Sequence, residues 1–108
     1  MNDWQNEIQQ ELERAAQARA KGNEGQARVC ARRAAGIAIR EYFKRRGIYP
    51  KSVSAYDLLN QLKAEPLLSP DLRLAAEHLT LRVNEEFKLP VEADLVAEAR
   101  MLCSELLK

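Results

Sequence analysis

The sequence is poor in the residues that metal and nucleophile chemistry draw on. It holds one histidine, His78, and two cysteines, Cys30 and Cys103. A zinc site needs a set of Cys, His or carboxylate ligands at recognisable spacing, and no such spacing is present. No metal and no cofactor is therefore expected. Two cysteines so far apart do not form the framework of a small secreted disulfide domain, so a reduced, cytoplasmic chain is expected. Glycine and proline number four each. GNEG at 22–25 is a helix boundary and not a phosphate loop, because no strand precedes it and the fingerprint spacing is missing. No run of about eighteen apolar residues occurs, which leaves nothing to span a membrane. The polar, acidic start MNDWQNEIQQELER does not resemble a signal peptide.

What remains is alanine, leucine and charge. The 108 residues fit one domain, 1–108, long enough to bury a core without staples. The net charge of +1 is unevenly spread: residues 1–20 carry −2, residues 21–51 carry +7 and residues 52–108 carry −4. The middle segment is the place to look for an anion-facing surface.

Five helices are legible from apolar spacing and end signals. The first spans about Asp3 to Ala20, with Asp3 as N-cap and Trp4, Ile8, Leu12 and Ala15 in one stripe. The second spans about Asn23 to Arg46, between an Asn cap and Gly47. It has two apolar faces, Ala27/Ala31/Ala34/Ala38/Tyr42 and Val29/Gly36/Ile39/Phe43, which predicts a central helix with neighbours on both sides. Arg33, Arg40 and Lys44 project from a strip between those faces. Ser54 caps a short third helix whose core face is Tyr56, Leu59 and Leu62 or Lys63, and Pro66 ends it. Ser69-Pro70-Asp71 starts a fourth, with Leu72, Ala75, Ala76, Leu79 and Val83 inward, fading near Asn84. The fifth spans about Val91 to Leu107, with Leu95, Ala99, Leu102 and Leu106 inward. No segment alternates as a strand does. The fold class expected is all-α: an up-and-down antiparallel bundle of four to five helices.

Two places could carry chemistry. His78 and Arg82 stand one helical turn apart on the extended fourth helix, followed by Glu85 and Glu86. They are either the polar edge of an amphipathic helix or an anion site built on Arg82. The basic strip of Arg33, Arg40 and Lys44 either pairs with acids of helices one and five or faces phosphate. It has no interleaved exposed aromatics, which argues against single-strand stacking.

The stretch GNEGQARVCARRAAGIAIREYFKRRG, the start Tyr56-Asp57-Leu58-Leu59 and the final VEADLVAEARMLCSELL resemble the HEPN family over nearly the whole chain. These are small helical bundles named for a nucleotide-binding role. The resemblance implies an HEPN-like bundle, a homodimer, a nucleotidyltransferase-type protein partner in a toxin–antitoxin-like arrangement, and RNA or a nucleotide as ligand. Many members carry an arginine followed, after four to six intervening residues, by a histidine that serves in RNA cleavage. Arg82 stands where that arginine falls, but Phe87, Lys88 and Leu89 stand where the histidine could fall, and His78 lies before it. Without that imidazole the usual proton carrier is missing. The expectation is a non-catalytic module that acts by protein interaction or by binding a nucleotide or RNA phosphate through Arg33, Arg40, Lys44 or Arg82. The alternatives are a degenerate ribonuclease using Arg82 with Glu85, Glu86 or Lys88, and a purely structural bundle.

Overall fold

The structure, a computed structural model, describes residues 3–82 and 88–108. Five helices make up the fold: α1 (Asp3–Ala20), α2 (Glu24–Arg46), α3 (Ala55–Lys63), α4 (Pro70–Leu79) and α5 (Leu95–Leu106). Among the described residues there is no strand. Asn23, Ser54 and Ser69 cap α2, α3 and α4 as their side chains predict, each accepting a backbone N–H of the first turn. Gly47 ends α2 at φ 68°, a left-handed conformation that glycine adopts without a Cβ clash.

Helix directions follow from which ends meet. Trp4 lies under Arg45 at one end, and Arg19 bonds Glu24 at the other, so α1 and α2 are antiparallel. Arg19 also reaches Asp94, just before α5, so α5 runs against α1. His78, in the last turn of α4, meets Glu98 in the first turns of α5, so those two also run opposite ways. The long helices α1, α2, α4 and α5 therefore alternate in direction, as an up-and-down bundle does.

One core joins all five helices. Phe43, Ile39, Leu58, Leu59, Leu62, Leu79, Leu95 and Leu102 are fully buried within it. Burial of side chains of this size is worth on the order of 1.5–3 kcal/mol each. Ala27, Ala31, Ala34 and Ala38 are completely buried and bring neighbouring backbones close to α2. At Gly36 the approach is closest: a Cβ there would lie 3.1 Å from the Ala55 Cβ and 3.2 Å from its Cα. The start of α3 rests on that gap.

Four expectations need correction. Val29 is more than a third exposed, so the second face of α2 is built by Gly36, Ile39 and Phe43 without it. The core face of α3 is Leu58, Leu59 and Leu62, while Tyr56 is turned outward. α5 begins at Leu95, not Val91, because the Asp94 carboxylate accepts the Ala97 N–H at 3.1 Å and caps it there. α4 stops at Leu79, short of Arg82; Val83 and Asn84 lie outside the described residues. Two things stop it. Thr80 turns its hydroxyl back onto the Glu77 carbonyl at 2.7 Å. Arg32 of α2 donates to the Leu79 carbonyl at 2.8 Å and the Leu81 carbonyl at 2.9 Å. A cation that takes the last carbonyls satisfies orphan acceptors and faces the negative pole of the helix.

Because Gly36 sets the seat of α3, Gly36→Val should lower stability by about 1–3 kcal/mol through overpacking. A reduced urea midpoint measures this, and an unchanged midpoint would show that α3 shifts freely.

Candidate anion-binding site

The basic residues of the chain fall on different surfaces. Arg33 and Arg40 line a groove between α1 and α2, and Arg40 and Lys44 line its continuation toward Trp4 and Tyr49. All three are exposed. They form no ion pair with the acids of α1 or α5 among the described residues, so the internal pairing weighed for this strip is not what the structure holds.

Arg82 stands elsewhere, with two arginines the sequence reading passed over. It lines a groove of about 540 Å³ with Gly25, Arg28, Arg32, Tyr56, Thr80 and Leu81. Arg28 and Arg32 sit one turn apart on α2. No carboxylate lines this groove among the described residues. Arg32 is tethered to the α4 carbonyls. Burial pulls its affinity for a proton below that of an ordinary arginine, and the charges of Arg28 and Arg82 pull it down further. The Arg28 Nε is buried and has no hydrogen-bond partner. The Arg82 guanidinium lies 5.1 Å from the centre of the Tyr56 ring. Tyr56, 40% exposed, is the exposed aromatic beside a basic cluster that the sequence seemed to lack. Its misassignment to the core of α3 hid it.

Three guanidinium groups crowded together with no carboxylate among the described lining repel one another, and such a cluster accepts an anion readily. The nearest acid on α2 is Glu24, whose two oxygens are already taken by Arg19 at 3.0 and 2.7 Å. Glu24 and Asp94 are thus committed to tying the end of α1 to the starts of α2 and α5.

The sequence placed His78 and Arg82 on one helical face. With α4 ending at Leu79 they part: Arg82 goes to Tyr56, while the His78 Nδ1 meets Glu98 Oε1 on α5 at 2.6 Å. The imidazole thus serves the α4–α5 seam. Glu85 and Glu86 lie outside the described residues. Cys30 and Cys103 are free and buried. Cys103 donates to the Ala34 carbonyl, and burial pushes its thiol up to about 12. That is far from a nucleophile's range. Among the described residues no group of three His, Cys, Asp or Glu side chains could hold a metal ion. No helix among them is long and apolar enough to cross a membrane.

Comparison of the chain with protein-family models, with curated proteins and with solved structures finds no match. The likeness to HEPN bundles therefore rests on the residues quoted for it.

Arg19 holds the carboxyls of Glu24 and Asp94 below the usual range by hydrogen bonding to both. Groups with a depressed folded pKa stabilise above their unfolded pKa and lose that contribution as pH falls through the folded value. The stability difference between wild type and Arg19→Met should therefore be full near neutrality. It should shrink as pH drops below about 4. Urea titrations at several pH values measure it; a difference that persists in acid would place the role of Arg19 in packing.

Proposed function

We propose that the protein is a non-catalytic, HEPN-like helical module that binds a phosphate group of RNA or of a nucleotide in the Arg28–Arg32–Arg82 groove. The observation that carries this reading is the three guanidinium groups lining one groove with no carboxylate among its described walls. The roles divide by freedom. Arg32 is tethered to two carbonyls and fixes the positive field. Arg28 and Arg82 supply the donors, Arg82 with its plane steadied by Tyr56. A guanidinium so positioned offers paired N–H donors to phosphate oxygens.

This reading is binding and not cleavage, because the chain's single imidazole is engaged by Glu98 rather than facing Arg82. The same resemblance implies a homodimer, for which Tyr49 and Leu67, both almost fully exposed, are available apolar surface. Light scattering on the purified chain reads that state directly.

Anisotropy titrations with a labelled single-stranded RNA test the groove. Arg28→Ala and Arg82→Ala should each weaken binding and lower the salt slope by about one unit. Arg33→Ala with Arg40→Ala should leave both unchanged. Competition by ATP at the same groove would identify the ligand as a nucleotide. If the Arg28 and Arg82 variants bind as wild type does, the reading fails.

A further inference from the structure

A second groove, on the α1 side of the start of α3, has a different chemistry. Its volume is about 620 Å³, in the range of small-molecule sites. Its floor and far wall are Gly36, Ile37, Val53 and Ala55, and charges of both signs line it. Glu11 is only 6% exposed, the buried acid of α1. Its Oε1 accepts a hydrogen bond from Arg14 Nη1 at 2.6 Å. Its Oε2 is buried and has no donor. A buried carboxylate oxygen left without a partner costs about 1–3 kcal/mol or more. Arg33 and Arg40, in the same groove, stand about 10 Å apart along α2 and pair with no carboxylate among the described residues. The acid is half used and the bases are unused, yet they do not neutralise one another.

We propose that this groove binds a small zwitterion, one end a cationic N–H donor held by Glu11 and the other a carboxylate held by Arg33 and Arg40. Arg14 is the key to the donor end. Its side chain is 62% exposed, so it is held chiefly by its bond to Glu11. Its guanidinium stands in for the ligand's own cationic group and swings out when that group arrives, leaving both carboxylate oxygens to the ligand. The anionic end is a carboxylate because Glu7 lines the groove too, and a singly charged group suffers less repulsion there than a phosphate dianion. Single-headed ligands satisfy one side only and leave the other as it is.

Calorimetric titration of the full chain tests this with L-arginine, with agmatine, which lacks the carboxylate, and with pentanoate, which keeps the carboxylate and lacks the donor. L-arginine should bind, and each half-ligand should bind at least about tenfold more weakly. Glu11→Gln, and separately Arg33→Ala with Arg40→Ala, should each weaken L-arginine by about tenfold or more. Arg14→Ala should tighten it, an effect that no merely structural role for the Glu11–Arg14 pair produces. Should Glu11→Gln not fold, the surface variant Arg14→Ala decides alone. The proposal is overturned if L-arginine does not bind, if agmatine or pentanoate matches it, or if Arg14→Ala weakens it. The Arg28–Arg82 groove is untouched by any of these outcomes.

Discussion

The close approach that α2 permits is the constraint on which the rest of the structure depends. Ala27, Ala31, Ala34, Ala35 and Ala38 present almost no side-chain bulk, and Gly36 presents none. A helix so thin lets α1, α3 and α5 pack around it at once, and it meets α4 through Arg32. Against this alanine face the partners supply large side chains, Leu58, Leu59 and Leu62 from α3, Leu79 from α4, and Leu95 and Leu102 from α5, while Ile39 and Phe43 of α2 fill its other face. Small-on-large interdigitation of this kind reaches the packing density of a native core with few aromatics. It also explains why arginines on α2 sit in grooves. Its neighbours press so near that any long side chain at the edge of a contact must run along a cleft between two helices.

Much of this was legible because alanine spacing and capping chemistry are local. Asn23, Ser54 and Ser69 cap their own helices from one to three residues away, and Gly47 terminates α2 by its own backbone preference. The errors arose where a distant residue decided the outcome. Apolar spacing carries α4 on toward Val83, and Thr80, a residue that helices tolerate, does not by itself forbid it. The stop is completed by Arg32, forty-seven positions earlier, closing on the Leu79 carbonyl. The start of α5 is the local exception: Asp94 is itself an N-cap residue, three positions past the expected start at Val91. Tyr56 was placed inward because three-residue spacing fits Tyr56/Leu59/Leu62 as well as Leu58/Leu59/Leu62, and only the neighbours of α3 separate the two.

Those misplacements hid the arginine groove. On a continuous fourth helix Arg82 belongs with His78, and the pair suggests acid–base chemistry. With the helix ended at Leu79, Arg82 leaves that face and joins Arg28, Arg32 and Tyr56, residues from two other helices. The basic strip of Arg33, Arg40 and Lys44 was legible, since it follows from the turn of one helix. The acid that shares its groove was not: Glu11 reads as one more surface glutamate in an acidic helix, and only the fold buries it.

The start of α3 separates the two grooves, with Ala55 on one side and Tyr56 on the other. Among the described residues, the groove beyond Tyr56 has one sign of charge, and the groove beyond Ala55 has both. A cluster of one sign opposes its own assembly, so something must fix it in place. Arg32 does so by a bond pattern that the fold itself needs: its guanidinium supplies the donors that close the end of α4. The cost of setting a half-buried cation beside Arg28 and Arg82 is offset by the two carbonyls it satisfies. Any substitution that relieves the repulsion by removing Arg32 also frees the end of α4. The helix terminus and the positive groove are thus maintained by the same side chain.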